Sequence, residues 1–441
     1  MQSKLTIFLL CCVLSLGSAS VAVAQKKDKA NPAVPEAAPA TPYSNVRRDN
    51  LLNGLQLVTL DRQGDSAVKC DLIIRCGSMF DLTGKTGLAM LTQESLMIVN
   101  PRIKEELESL GAKIEWGVTW DTTWVHLETP ASSFGPALEI VARLLVVENV
   151  RPDAFKKAQD ALIARAKTAK LSAAEQADAA FLKAIYGDHP YGHNLEGDAV
   201  SLSGIKQGDA YDFFHRFYIA NNAAAVVTGN ISHERVMQVF KVLFGGWVKG
   251  QIVPATFRQP TQTAQLKLVK IPLADAANVE LRGGLIGVKH SDADFLTTLA
   301  IARLLTNRLA GSAVNFSIKS EPRILSGPFY FSTSASSDQA QEFSRRATEA
   351  FASLANATVP EQELAAAKSA LVAEYSARPV EYNLREIEMF LLPRNLPVEM
   401  SAKIGAISAA DVQRVAKRLL DANALTVVVV GKVNDNFKTG L

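Results

Sequence analysis

Ile205 to Ile231 reads IKQGDAYDFFHRFYIANNAAAVVTGNI, and Ile407 to Val433 reads ISAADVQRVAKRLLDANALTVVVVGKV. The two align without a gap at a fixed offset of 202 residues. Ile205 pairs with Ile407, Asp209 with Asp411, Arg216 with Arg418, Asn221 with Asn423 and Gly229 with Gly431. Each stretch predicts a short helix, a turn carrying Asn, and an apolar β-branched strand that ends in Gly. The ordered run over 27 positions marks a duplicated chain of two homologous halves. The boundary between them falls near Lys249–Gln265, which holds Pro254 and Pro260.

Outward from these segments, the first half predicts strands over Leu51–Asp61, with a turn at Asn53-Gly54, and over Cys70–Gly77. A hairpin over 112–128 turns at Trp120-Asp121, and a long helical region over Ala154–Ile185 breaks near Leu171. The second half predicts strands near Leu266–Ile271, Val279–Val288 and Phe329–Ser336, with helices near Asp294–Arg308, Gln339–Leu354, Pro360–Ala377 and Ala409–Leu420. Strands in runs beside packed helices argue for an α+β fold, each half a mostly antiparallel sheet covered by helices. The expected organisation is a signal peptide (1–24), a Pro/Ala-rich linker (25–44), a first domain (45–250), an interdomain linker (251–264) and a second domain (265–441).

The 441 residues are 48% apolar and 21% charged, which excludes a disordered, collagen-like or disulfide-scaffold chain. A net charge of +3 demands neither nucleic acid nor an anionic membrane as partner. Lys4, the apolar run Leu5–Leu16 and the small-x-small site Ala22-Val23-Ala24 form the pattern of a secretory signal peptide. Export to a periplasmic or extracellular compartment is expected, with no membrane span after cleavage. Gln25 to Tyr43 carries four prolines among Ala and Lys and reads as an extended tether.

Cleavage removes Cys11 and Cys12 and leaves Cys70 and Cys76. Six residues of strand separate that pair by roughly 20 Å, beyond the Cα reach of about 7 Å that a disulfide needs. They read as two free thiols on one face. The six His are His126, His189, His193, His215, His233 and His290. Only His189 and His193 are spaced for a shared metal, and Pro190 and Gly192 between them make a loop instead of a helical turn. No G-x-S-x-G nucleophile motif and no phosphate loop occurs. Trp116, Trp120 and Trp124 recur every four residues across the hairpin and read as packing, with Trp120 in the turn the one open to exposure.

The chain resembles the pitrilysin/insulinase (M16) metallopeptidase family, in particular its two-domain members akin to processing-peptidase subunits. The resemblance rests on Leu52-Asn53-Gly54-Leu55, on Gly77-Ser78-Met79-Phe80-Asp81 followed by Thr86-Gly87-Leu88-Ala89, on Gly187-Asp188-His189-Pro190-Tyr191-Gly192, and on Tyr218 to Gly229. It spans residues 45–436. The family's chemistry uses an inverted zinc motif, H-x-x-E-H. Two imidazoles at i and i+4 reach one zinc from one helix face, and the Glu between them serves as base for the bound water. Here Met90, Gln93 and Glu94 stand at the His, Glu and His positions. A thioether suits zinc poorly, and an amide accepts no proton as a base. The expected downstream acidic ligand falls on Ala164-Arg165.

The resemblance therefore implies a degenerate member with no catalytic residues and no zinc. It also implies a partner, an active M16 paralogue with which the chain would form a heterodimeric chamber for unfolded peptide or protein. Family members contribute an Arg and a Tyr from the second half to hold substrate. Arg323 and Tyr330 are the matching substrate-binding candidates, the alternative being a surface Arg and a strand aromatic. Two other functions stay open at this point: an active zinc metalloendopeptidase with an unorthodox site, and a structural scaffold subunit of an envelope complex.

Overall fold

The computed structural model describes residues 41–97, 101–147, 150–262 and 265–438. The signal peptide, and the linker as far as Ala40, lie outside the described residues. The linker's last residues, Thr41–Ser44, form a turn in which Tyr43 packs, as Val46 does, against the cluster of Val58, Leu60, Ile73, Val226 and Leu384, so the tether ends before them.

The first half holds β1 (Val46–Asn50), β2 (Gln56–Asp61), β3 (Val68–Ile74), α1 (Leu88–Met97), α2 (Pro101–Ser109), β4 (Lys113–Val118), β5 (Thr123–Thr129), α3 (Phe134–Ala142), α4 (Pro152–Thr168), α5 (Ala173–Tyr186), α6 (Ala199–Gly204), α7 (Gln207–Phe217), β6 (Ala223–Gly229) and α8 (His233–Phe244). The second holds β7 (Lys267–Pro272), β8 (Val279–Ile286), α9 (Phe295–Leu309), β9 (Phe316–Ser320), β10 (Pro328–Ala335), α10 (Ser337–Asn356), α11 (Glu361–Ala377), α12 (Val380–Phe390), α13 (Leu396–Gly405), α14 (Ala409–Leu419) and β11 (Thr426–Gly431). The long helical region does break where expected: Ser172 caps α5 in a capping box with Glu175.

Sheet one runs β1-β2-β6-β3-β5-β4 and sheet two β7-β11-β8-β10-β9. Without β1 the two orders correspond strand for strand. In each, the strand carrying the repeated motif pairs parallel with the first strand of its half and antiparallel with the second. Strands β6 and β11 are buried along their whole length, which is why AAAVVTG and TVVVVG read as continuous apolar runs with no alternation. The duplication is thus a property of the fold. Gly229 and Gly431 end equivalent strands with φ of +131° and +135°. A Cβ there would lie 2.4 Å from the Ala67 carbonyl oxygen and 2.6 Å from that of Asn278, so both positions require glycine.

Each sheet buries one face on helices of its own half. Leu57, Cys70, Leu72, Val125 and Val227 share one core, and Leu281, Phe329, Phe331, Val427 and Val429 the other. The opposite faces are covered by exchange. Helix α5 of the first half lays Ala177, Phe181 and Ile185 on Ile286, Val428 and Val430 of sheet two. Helix α12 of the second half lays Leu384 on Val58, Leu60, Ile73 and Val226 of sheet one. No helix among the described residues is long and apolar enough to cross a membrane.

Candidate functional site

Helix α1 carries Met90, Gln93 and Glu94, the positions that the sequence resemblance matches to the family's zinc motif. Asp81 starts it, accepting the backbone N–H of Gly87 (2.7 Å) and Ala89 (2.8 Å). Burial pushes that carboxyl up to about 7 despite these bonds. One helix face then presents Met90, Gln93 and Glu94, since positions three and four apart lie together. Met90 is part of the apolar core. Gln93 is fully buried, and its Oε1 accepts the Tyr218 hydroxyl at 2.8 Å. Glu94 is half-buried. On α4, Ala164 is exposed and Arg165 turns outward to pair with Glu196 at 3.0 Å, so α4 offers no carboxylate at the expected position. A thioether in a core, an amide bound by a phenol and one carboxylate do not fit a zinc ion, which takes three protein ligands in catalytic sites. Among the described residues no three His, Cys, Asp or Glu side chains gather into a possible metal site.

The other candidates have structural partners. The His189 Nδ1 accepts the Tyr191 backbone N–H, and the His193 Nε2 donates to the Ser78 carbonyl. Burial lowers the pKa of both rings. Cys70 and Cys76 are free and fully buried, and burial raises both thiols, which makes them poor nucleophiles. Cys76 lies two residues past the end of β3, so the strand is shorter than its sequence suggests.

Arg323 sits in the loop between β9 and β10. It is only 8% exposed, so the reading of a surface arginine is corrected: this side chain is buried. Its guanidinium lies 4.0 Å from the Trp120 ring centroid and 4.9 Å from that of Tyr191. Both rings come from the first half, held there by a small polar network. The Tyr191 hydroxyl donates to Asp121 and accepts the Leu325 backbone N–H at 3.1 Å. The Met79 N–H bonds the Trp120 carbonyl and ties the hairpin turn to the segment that precedes α1. Burial raises the Asp121 pKa, opposed by the Tyr191 hydroxyl and the Arg323 charge.

Tyr330 is placed elsewhere. Its ring packs on Phe181 of α5 at 5.5 Å, and its hydroxyl donates to Glu321 at 2.9 Å. Burial raises its pKa. Arg323 and Glu321 line a cavity of about 490 Å³ between the hairpin turn, the 320–323 loop, α12 and α13; Tyr330 does not. Trp116 packs against the first core, whereas Trp120 belongs to this cavity. Asp121, Tyr191 and His290 were not read as site residues from the sequence. Each is unremarkable locally, and only the fold brings the turn, the 190–192 loop and the segment after β8 together.

The two-sheet fold is that of solved peptidase M16 chains, and the helix α1 positions singled out by the sequence resemblance hold Met90, Gln93 and Glu94. Residues 204–371 match the family model described as the peptidase M16 inactive domain, so the resemblance read from the sequence is borne out. A Rickettsia bellii protein named an uncharacterized zinc protease is 20% identical over 212 residues, 47% of this chain and 52% of that protein. The match thus spans about half the length of that curated relative. The crystal structure of a peptidase M16 inactive domain from Pseudomonas fluorescens superposes with a TM-score of 0.78 at 19% identity, covering 88% of this chain and 98% of that one. The periplasmic protease PqqL from Escherichia coli gives 0.76 at 13% identity, covering 90% of this chain but 48% of PqqL. Similarity at these identities establishes the α+β two-sheet fold and no activity.

Proposed function

We propose that the chain is an exported, non-catalytic M16-type subunit that pairs with an active, zinc-bearing paralogue and supplies part of the chamber for an unfolded peptide or protein. The observation that carries this reading is the Gln93–Tyr218 hydrogen bond, which occupies the position of the catalytic base with a buried neutral pair. Pairing is supported by length. PqqL carries about as much chain again as the part this protein matches, so a second chain of similar size would complete the same body. Export rests on the N-terminal pattern of Lys4, Leu5–Leu16 and Ala22-Val23-Ala24. In this reading Arg323 is the second-half residue we assign to ligand contact, and Tyr330 serves the packing of α5 on sheet two.

The test is elemental analysis and a peptidase assay on the purified chain, alone and with the candidate paralogue. Alone, it should hold no stoichiometric zinc and cleave no unfolded peptide. The mixture should co-elute and turn over substrate faster than the paralogue does alone. About one zinc per chain with chelator-sensitive cleavage would establish an active peptidase instead. A stable complex with unaltered turnover would leave a scaffold subunit.

A further inference from the structure

The duplication leaves the two sheets unequal at one edge. Strands β2 and β7 hold equivalent places, each parallel to the strand that carries the repeated motif, with Gln56 opposite Ala224 and Lys267 opposite Thr426. In sheet one β1 lies antiparallel along the outer side of β2, and Leu57 to Leu60 are buried. Sheet two ends at β7, with no strand on its outer side among the described residues. Leu268, Val269 and Ile271, the counterparts of Leu57, Val58 and Leu60, are only half-buried.

The backbone of that edge is set to pair. The Lys267 N–H donates to the Leu425 carbonyl and the Leu273 N–H to that of Gly431, both toward β11. Strand backbone groups alternate sides, so Leu268 and Lys270 turn their N–H and C=O outward. Pro272, next in that alternation, has no N–H to offer, and proline in a sheet belongs on such an edge. Lys267 and Lys270 are exposed, and their ammonium groups donate to the carbonyls of Ala184 at 3.3 Å and Asp435 at 2.8 Å. Among the described residues neither lysine forms an ion pair with a carboxylate side chain. An edge with unpaired main-chain groups is a template for a further strand.

We propose that the outer edge of β7 receives an extended acidic segment of another protein, which adds as a sixth strand antiparallel to β7, in the place that β1 takes in sheet one. Strand β1 supplies the register. Val46, Arg47 and Arg48 stand opposite Leu60, Thr59 and Val58, so the guest places residues opposite Ile271, Lys270 and Val269. Val269 and Ile271 pack against the cluster that Phe181 of α5 shares with Val428 and Val430, and apolar guest residues opposite them extend that layer. Opposite Lys270 and Lys267 the guest carries Asp or Glu, because unlike charges across a ladder attract and like charges repel. The same charge disfavours two other occupants. A second copy of β7 would set its own lysines against these, and residues 25–40 of this chain bring Lys26, Lys27 and Lys29 together with Pro32, Pro35 and Pro39. The edge stands apart from helix α1, so the inference requires neither zinc nor the proposed paralogue.

Fluorescence anisotropy of the labelled, C-terminally amidated peptide Thr-Val-Glu-Val-Thr-Glu-Thr, titrated with the purified chain, decides it. The peptide should bind, and hydrogen exchange of the Leu268 and Lys270 amides should slow in the complex. Its first Glu and middle Thr stand opposite Lys270 and Leu268 and aim their N–H groups at β7. Methylating those two nitrogens should weaken binding about tenfold or more, because strand addition takes its affinity from main-chain bonds. Methylating the second Val and second Glu, whose N–H groups point away, should leave it unchanged. The basic counterpart Thr-Val-Lys-Val-Thr-Lys-Thr should bind about fivefold or more weakly at low salt, and Lys270→Glu should narrow or reverse that preference. Absence of binding by the acidic peptide, equal loss from both methylated forms, or equal affinity for the acidic and basic peptides would overturn the proposal. Leu268 and Lys270 amides already protected in the free chain would give the edge to a second copy or to residues 25–40, and would overturn it as well.

Discussion

At the scale of single residues, burial decides what each candidate can do. Arg323 was open to reading as a surface side chain from its Pro- and Gly-rich surroundings, and its removal would then have cost under about 0.5 kcal/mol. Stacked between Trp120 and Tyr191, it loses cation–π contacts worth up to about 2 kcal/mol when desolvated, and it leaves Asp121 without its nearest positive charge. Arg323→Ala should therefore lower the urea midpoint by the equivalent of about 2 kcal/mol or more, with an unchanged slope. His290 gives a pH signature. Burial holds its pKa down at about 4, and its ring stacks on Phe390. The unfolded chain takes up that proton near pH 6.5, and the folded chain does not until near pH 4. Stability contributed by the neutral ring is complete above about pH 6.5 and falls as the pH drops toward 4, by less than about 3 kcal/mol. A His290→Leu variant should show a flatter urea-midpoint profile between those values; an identical fall would assign it to other groups. That Met90, Gln93 and Glu94 share one helix face was legible in the sequence because they lie within a short helical spacing. The Arg323 cavity was not, since its groups come from positions as distant as Trp120 and Asn383.

At the scale of elements, the exchanged helices show how one fold distinguishes its two sheets. Opposite Val226 on β3 stands Asp71, and opposite the equivalent Val428 on β8 stands Arg282. Asp71 meets Arg385 of α12 at 3.2 Å, and Arg282 meets Asp178 of α5 at 2.5 Å. One structural position thus carries opposite charges in the two halves, and each incoming helix carries the matching one. Arg282 is buried, so reversing its sign places two carboxylates together under α5. Arg282→Asp should destabilise the chain by about 3 kcal/mol or more, Arg282→Met by less, and Asp178→Arg should restore part of the loss in the Arg282→Asp background. An additive double-mutant cycle would show that the pair has no such role. The central strands and the break between α4 and α5 were legible because apolar runs and caps are local signals. Helix α12 was not: Glu381, Arg385, Glu386 and Glu388 look like a solvated face, yet Glu381 pairs with Arg62 at 2.6 Å, and Glu388 is buried beside Arg48 and Arg75.

At the scale of the whole molecule, the same exchange joins the halves more firmly than the connection between them. Residues 251–262 have no helix or strand and are largely exposed, so a protease should cut there first. The two fragments should nonetheless stay together in native mass measurement, because α5 and α12 each remain buried on the other half's sheet. Prompt separation after a single cut would contradict that packing. The consequence reaches back to synthesis. Sheet one has all its strands once Gly229 is made, but the helix that covers its second face begins only at Val380. Through that interval Val58, Leu60, Ile73 and Val226 have no cover, and an apolar sheet face left open is a site for association with other chains. A chain halted before Val380 would carry a first half with all its strands and one apolar face still to be hidden, a stage of synthesis open to association that ends only when α12 arrives.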